Sequence, residues 1–327
     1  MTNAQCCHCG LDPQSTSGNK GNTVRQWILS IAVTCSLALA GCAAPSASLD
    51  DTPRVAIISA FPAELTLLQA RVEQARKQSI NGVEFTVGTL QGKPVVMFLS
   101  GVSMTNAAMT TQLVLDRFKV SHVVFSGIAG GVNPALKVGD VVVAQRWGQY
   151  LEVLAAREIA PGRYQPPSHM NDVKLPNFGM LHPRPVEVRS AAQAGIEKKF
   201  WFETDPALME IARRASKVAL ERCDPQRNCL SHEPRVVLGG NGVSGQAFVD
   251  NAAFREYTFK TFEANVLDME TAATAMVAYS NGVPFIAFRS LSDLAGGGEG
   301  ENEMKTFFRI AADNSARVLL AFLAAWK

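Results

Sequence analysis

Short apolar runs alternate with amphipathic segments along the chain from residue 55 onward. The runs are rich in β-branched residues and predict buried strands, whereas apolar residues that recur every three or four positions predict helices packed on a sheet. The predicted strands cover residues 55–59, 83–87, 94–99, 122–125, 138–144, 236–238, 266–269 and 285–288. The predicted helices begin after Pro62 and then cover residues 105–118, 206–222, 252–259, 271–280 and 303–325. This alternation indicates an α/β layered domain with a largely buried sheet.

The alternation breaks down between residues 147 and 234. This segment is irregular and is interrupted by prolines, as in Gln165-Pro166-Pro167 and His182-Pro183. We therefore expect a long insertion over one face of the sheet. It would either act as a lid or only elaborate the surface.

An uncharged apolar stretch near the N-terminus has the features of an export signal. It covers residues 27–40, follows Lys20 and Arg25, and is shorter than the roughly 20 apolar residues that span a bilayer. It ends in Leu39-Ala40-Gly41-Cys42, which resembles the bacterial lipoprotein box. We predict a signal peptide within residues 1–41, a lipid on Cys42, and a tether over 42–52. The lipid would be the only membrane contact, on an outer membrane facing the periplasm. The alternative is an ordinary secretory signal with an incidental cysteine.

The remaining cysteines fit an exported protein. After cleavage before Cys42, only Cys223 and Cys229 remain beside it, and they bracket a short loop outside the reducing cytosol. We predict a disulfide between them, with two free thiols as the alternative. Cys6 and Cys9 flank His8 but lack a second pair at zinc-binding spacing, so no metal site is predicted there.

Composition and motifs exclude several functions. Lys and Arg number 31 against 29 Asp and Glu, a net charge of +2, so nucleic acid is not an expected partner. The sequence contains no His-Glu-x-x-His motif, nucleophile elbow, phosphate loop or dinucleotide fingerprint. We expect neither a metal nor a cofactor.

Acids and glycines cluster where the predicted strands end. Ligands of open α/β sheets bind beyond the carboxyl ends of their strands, so these residues are expected to converge on one site. An acid at one strand end alone is usually a helix cap. The residues concerned are Glu64, Ser100, Gly127–Gly131 including Gly130, Asp268, Met269, Glu270, Ser292 and Asp293.

At these positions the chain resembles the nucleoside phosphorylase/nucleosidase superfamily, and within it the methylthioadenosine/S-adenosylhomocysteine nucleosidases. The resemblance implies one three-layer α/β/α domain over residues 53–327, with a central mixed β-sheet, and a homodimer. The long insertion and Phe61-Pro62-Ala63, which replaces a more acidic run, depart from the family pattern. The matching segments are residues 55–68, 100–101, 126–131, 137–140, 244–249, 266–270 and 289–293.

The resemblance also implies roles in cleaving the N-glycosidic bond of a purine nucleoside. Asp293 would protonate N7 of the leaving base, and Glu64 would activate water on the other face of the sugar. Glu270 would bind the ribose hydroxyls. The remaining implied substrate contacts are Met269 on the sugar, Phe248 stacked on the base, Val249 at its edge through the backbone, Ser100 and Ser292 orienting water and acid, Gly130 through its backbone N–H, and Phe307 as an apolar wall for the 5′ substituent.

Two other functions are open on sequence grounds. A phosphorylase would use phosphate in place of water, but the hexameric enzymes carry Arg where this chain has Glu64, and a second Arg in the turn over residues 100–105. A non-catalytic nucleoside-binding or storage lipoprotein would not need Glu64 and Asp293 together. We therefore expect hydrolysis.

Overall fold

The computed structural model describes residues 49, 51–170 and 175–327 of the chain. The predictions for the signal peptide, for Cys42 and for Cys6 and Cys9 lie outside these residues. In the described part, no helix combines the length and hydropathy that a membrane span requires.

Eighteen strands and six α-helices make up the described part of the domain. The strands are β1 Arg54–Ser59, β2 Glu73–Ile80, β3 Val83–Leu90, β4 Lys93–Leu99, β5 Val120–Gly131, β6 Val141–Val143, β7 Arg146–Gln149, β8 Val153–Ala155, β9 Arg157–Ala160, β10 Arg163–Gln165, β11 Leu181–Pro183, β12 Val186–Ser190, β13 Gln193–Lys199, β14 Trp201–Glu203, β15 Val236–Leu238, β16 Asn241–Ser244, β17 Ala264–Asp268 and β18 Phe285–Asp293. The helices are α1 Pro62–Gln69, α2 Met104–Arg117, α3 Pro206–Ala215, α4 Ala252–Phe262, α5 Thr271–Ser280 and α6 Met304–Ala325.

Twelve strands form one mixed sheet. At its centre β5 pairs in parallel with β1 and with β18, and β1 pairs in parallel with β4. At its carboxyl end, over Gly130 and Gly131, β5 also pairs with β17, which runs antiparallel. The carboxyl ends of β1, β5 and β18 therefore lie at the same edge of the sheet.

Helices cover both faces of this sheet. Along β1, Val55 and Ile57 pack with residues of α1, α3 and α6, whereas Ala56 and Ile58 pack with residues of α2 and α5. This alternation follows from the two-residue period of a strand, and both sets are apolar because both faces are buried. The predicted α/β class, with three layers around a mixed sheet, is confirmed.

Three of the differences between the predicted and the observed elements have a clear physical reason. Strand β2 was not predicted, because it is a polar edge strand exposed along most of its length. Helix α3 ends at Ala215 rather than at residue 222, since the backbone N–H and C=O of Glu221 both bond to the side chain of Asn314. The run over 138–144 forms a strand only at Val141–Val143, because Asp140 accepts the backbone N–H of Lys137 and closes a turn.

The expected insertion over residues 147–234 is only partly outside the sheet. Strands β7 and β14 belong to the main sheet, and α3 packs on α6. Strands β8–β13, between residues 153 and 199, form three separate two-stranded sheets. Further on, Cys223 and Cys229 are joined by a disulfide, and Leu230 after it packs against α6 at Ile310.

Candidate active site

A pocket with a cavity volume of about 130 Å³ lies at the sheet edge where β1, β5 and β18 end. Its walls are largely apolar, with a few polar side chains that converge on its interior, as is usual for small-molecule sites. The residues that line it and were expected from the sequence are Glu64, Gly130, Phe248, Val249, Met269, Glu270, Ser292 and Asp293.

Glu64 lies in the first turn of α1, directly after β1, and is 1% exposed. Its Oε2 accepts the backbone N–H of Ala60 at 2.6 Å, and its Oε1 accepts that of Ile128 at 2.7 Å. Burial raises the pKa of Glu64 to about 7, against the opposing effects of Arg289 and these N–H donors. A carboxyl group with such a pKa can both take and release a proton near neutral pH.

Arg289, on β18, is fully buried behind the pocket, where it contacts three acidic side chains. Its Nε lies 2.8 Å from Asp268 Oδ2, its Nη2 lies 3.2 Å from Glu270 Oε2, and its Nη1 lies 3.8 Å from Glu64 Oε1. Its Nη1 also donates to the carbonyl oxygen of Ile128 at 3.0 Å. One guanidinium thus compensates three buried carboxylates, which leaves the cluster rich in acids.

A glycine makes room for this cluster. A Cβ atom on Gly127 would collide with Oε1 of Glu64 and with Nη1 of Arg289. The backbone cannot easily move away, because the N–H of Gly127 donates to Ser315 Oγ at 3.0 Å. Only glycine therefore allows both side chains to approach this part of β5.

Asp268, the last residue of β17, and Glu270, two positions later, differ in how many hydrogen-bond acceptor positions they have left. Asp268 accepts from the backbone N–H groups of Glu270 and Thr271, from the hydroxyls of Ser244 and Thr271, and pairs with Arg289. Within the described part of the chain, the side chain of Glu270 accepts from the N–H of Ser103, at 3.0 Å, and from Arg289 alone. Burial raises the pKa of Glu270. Glu270 therefore has acceptor positions left for the hydroxyl groups of a ligand.

Asp293 ends β18 and is 4% exposed. Its Oδ1 accepts the backbone N–H of Ala295 at 2.8 Å, and its Oδ2 lies 2.9 Å from the hydroxyl of Ser292. Burial raises the pKa of Asp293, and the negative charge of Asp250 acts in the same direction. The environment therefore favours the protonated acid more than water does.

Apolar side chains complete the pocket. Phe248, in the loop after β16, is 58% exposed and borders the pocket beside the buried Val249. Met269 and Ile128 line the interior, and Met304, the first residue of α6, lines it as well. Such walls suit the faces of a planar base and an uncharged substituent.

Two predicted site residues do not line the pocket. Ser100 is buried, and its hydroxyl donates to the carbonyl oxygen of Gly101 at 2.9 Å. Phe307 does not line the pocket and packs instead against the cluster of Val138, Leu230 and Ile310. These contacts do not support the predicted roles of Ser100 on the water and of Phe307 as the 5′ wall, and both roles stay predictions.

Four residues that shape the site were given no role in the sequence analysis. Met304 lies three positions before Phe307, close to one helical turn, and occupies the wall that was expected of Phe307. Ser103 holds φ at +104°, which is unusual for a non-glycine residue, and its N–H reaches Glu270. Arg289 and Asp268 were given no role, although a charged residue directly after the apolar run 285–288 signals a buried ion pair.

Among the described residues, no group of three or more His, Cys, Asp or Glu is placed to hold a metal ion. The acids at the pocket are instead held by Arg289 and by backbone N–H groups. The raised pKa values of Glu64 and Asp293 suit these carboxyl groups to proton transfer.

Known proteins are similar to this chain in both sequence and architecture. A family model of the phosphorylase superfamily matches residues 54–324. The 5′-methylthioadenosine/S-adenosylhomocysteine nucleosidase of Lysinibacillus sphaericus is 31% identical over 272 residues, which cover 83% of this chain and 99% of that protein.

Two solved structures of such nucleosidases are similar to the chain. The Neisseria meningitidis enzyme, in complex with methylthio-immucillin-A, is 26% identical with a TM-score of 0.61, and the match covers 84% of this chain and 100% of that one. The Colwellia psychrerythraea enzyme, in complex with adenine, is 25% identical with a TM-score of 0.62, covering 84% and 96%. The chain belongs to the phosphorylase superfamily and is a homologue of its 5′-methylthioadenosine/S-adenosylhomocysteine nucleosidases.

Proposed function

We propose that this protein hydrolyses the N-glycosidic bond of purine nucleosides of the methylthioadenosine/S-adenosylhomocysteine type. The observation that carries the proposal is a pair of buried carboxyl groups on separate elements of one pocket, Glu64 on α1 and Asp293 on β18. Burial raises the pKa of both groups, to about 7 for Glu64, so each carboxyl group holds a proton more readily than it would in water.

Bond cleavage leaves positive charge on the sugar and negative charge on the base. Protonation of the purine at N7 by Asp293 neutralises the leaving base as the bond from C1′ to nitrogen breaks. The water oxygen forms the new bond to C1′, and its proton passes to Glu64. Glu270 holds the ribose hydroxyls during these steps, because its carboxylate has unused acceptor positions.

The charges of the pocket support hydrolysis over phosphorolysis. Lys, Arg and His are absent from the described residues that line it. Arg289 lies behind the lining and is already paired with Glu64, Asp268 and Glu270. A phosphate dianion would meet acids without a free cation, which is unfavourable, whereas a neutral water is not repelled.

The apolar wall at Met304, Phe61 and Val102 supports a substrate with an uncharged 5′ group. A thioether such as a methylthio group is apolar and polarisable, so it gains more from these contacts than a hydroxyl does. Methylthioadenosine is therefore the preferred substrate in this proposal, ahead of adenosine.

A second copy of the chain would complete the pocket on its open side. Val102 and Phe248 border the pocket and are exposed, and Met109 on α2 is 61% exposed. A groove beside them is lined by Met104 and Met276 among others. An exposed apolar surface of this kind usually marks a protein–protein interface. Light scattering should therefore show a dimer, and the substitution Met109→Asp should convert it to monomers.

Export and lipid attachment at Cys42 are also part of the proposal. The sequence Leu39-Ala40-Gly41-Cys42 supports them, and so does the disulfide between Cys223 and Cys229, because disulfides persist outside the reducing cytosol. Mass spectrometry of the mature N-terminus should find diacylglycerol on Cys42. A mature chain beginning at another residue without lipid would contradict this.

The decisive experiment incubates the purified protein with a nucleoside panel, with and without phosphate, and identifies the sugar product. We expect free base and unphosphorylated sugar in both conditions. Asp293→Asn and Glu64→Gln should each slow the reaction by about 10²–10⁴-fold while substrate still binds. Glu210→Gln, an exposed carboxylate change on α3, is the matched control and should leave the rate unchanged. Phosphorylated sugar, or unaltered rates in the two site variants, would refute the proposal.

A further inference from the structure

Asn302 lies between two carboxylates at the rim of the pocket. Its Nδ2 donates to Asp250 Oδ1 at 3.0 Å and lies 3.4 Å from Asp293 Oδ1. Its own Oδ1 accepts the backbone N–H of Met304 at 3.0 Å. One amide side chain thus contacts the proton donor assigned above, the segment after Phe248 and Val249, and the first residue of α6.

The loop before Asn302 has few other means of attachment by side chains. It contains Gly296, Gly297, Gly298 and Gly300. Gly296 has φ of +87°, and a Cβ there would collide with the backbone of Asp250 and Asn251, so the loop rests directly on that segment. The N–H of Asn251 donates to the carbonyl oxygen of Ala295 at 3.1 Å at the start of the loop. Asn302 holds its other end.

We infer that Asn302 is a positioning residue, which fixes the carboxyl group of Asp293 for proton donation and is itself anchored by Asp250. With N–H donors from Ala295 and Asn302 on Oδ1, the proton of the neutral acid belongs on Oδ2, beside the hydroxyl of Ser292. The inference rests on the proposed function, because it requires that Asp293 donates a proton.

The two anchors have opposite electrostatic effects on Asp293. The amide of Asn302 donates a hydrogen bond that favours the carboxylate and lowers its pKa, whereas the charge of Asp250 disfavours the carboxylate and raises the pKa. The other charged groups on elements packed near this acid are Arg255 on α4, which donates to the carbonyl oxygen of Gly131, and Glu303 before α6. Removing the amide of Asn302 should therefore raise the pKa of Asp293, and removing the charge of Asp250 should lower it.

The test compares Asn302→Ala, which removes the donor, with Asp250→Asn, which removes the charge but keeps an acceptor for Asn302. The titration of Asp293 is followed by ¹³C NMR of carboxyl-labelled aspartates, with the signal assigned by its absence in Asp293→Asn. We expect Asn302→Ala to raise the pKa of Asp293 and Asp250→Asn to lower it. The kcat of Asn302→Ala with methylthioadenosine should fall roughly tenfold, with little change in KM. In the pH profile of kcat/KM, the edge that reports Asp293 should move with the NMR value.

Asn281→Ala is the matched control, because that amide also bonds to a side chain and a backbone carbonyl but lies away from the pocket. It should leave the titration and the rate unchanged. If Asn302→Ala lowers the melting temperature but leaves the Asp293 titration in place, or if both variants shift it in the same direction, the inference is wrong. A wild-type protein that cleaves no nucleoside would instead refute the proposed function, while the NMR titration would still report on the Asn302 contact.

Discussion

The guanidinium of Arg289 lies 3.8 Å from the carboxylate of Glu64, measured from Nη1 to Oε1, and both side chains are almost completely buried. The same guanidinium reaches Asp268 and Glu270, so it is the shared partner of three acids from two places in the sequence. The stability of the domain and the chemistry of its pocket therefore depend on one cation.

Replacing Arg289 by Met should destabilise the protein by about 3–5 kcal/mol, because buried carboxylates lose their cation. Arg289→Lys should cause a smaller loss, since an ammonium keeps the charge but cannot reach three carboxylates in one plane. Urea unfolding at neutral pH measures both. A Met variant as stable as the wild type would show that the acids are already protonated in the folded protein.

Glu64 should make stability fall with rising pH. Its pKa is raised from 4.5 to about 7 in the folded state, so the folded protein binds more protons than the unfolded chain between these values. The stabilisation is fully present below about pH 4.5 and is lost as pH rises through about 7, a change of about 3 kcal/mol. Unfolding free energies at several pH values should show this slope in the wild type and a weaker slope in Glu64→Gln. Equal slopes would mean that Glu64 titrates normally.

Substitution of Met304 should weaken substrate binding, whereas substitution of Phe307 should lower the stability of the fold. Met304→Ala removes part of the pocket wall and should raise KM for methylthioadenosine by about tenfold, because the substrate loses its apolar contact with this partly buried side chain. Phe307→Ala leaves the pocket intact but opens the contact with Val138 and Leu230, so it should lower the melting temperature more than it affects KM. The reverse pattern would place Phe307 in the pocket.

Reduction of the Cys223–Cys229 disulfide should lower stability by about 2 kcal/mol, since the bond closes only a short loop. Leu230, which follows it, packs against Ile310 of α6, so the destabilised region includes a helix that borders the pocket. Urea unfolding with and without reductant measures the effect. The double variant Cys223→Ser/Cys229→Ser is the control and should not respond to reductant.

The sequence was most informative where both sides of a strand are buried. Apolar runs such as 55–59 and 285–288 predicted strands at the centre of the sheet, because nothing polar can occupy these positions without a partner. Strand β2 was missed because an edge strand has no such requirement, and its side chains are polar.

The same contrast holds for the pocket. Glu64 follows β1 and Asp293 ends β18, and both strands run parallel to β5, so topology alone places these two acids at one edge. Glu270 follows β17, which runs antiparallel to β5, and its place beside Arg289 could not be read from strand order. The choice between Met304 and Phe307 depends instead on the rotation of α6 about its axis, and the amphipathic pattern of that helix allows both. Contacts made by the Ser103 and Asn302 side chains or backbone depend on loop conformation, which periodicity does not report.

The absence of a side chain at Gly127 has a consequence for relatives of this protein. A single added methyl group at this position would collide with both Glu64 and Arg289 and push them apart, although neither of these residues is itself changed. A homologue could then keep every acid of the pocket in its sequence and still be unable to assemble the cluster. A residue larger than glycine at this position therefore predicts a relative in which the counterparts of Glu64 and Arg289 are held differently.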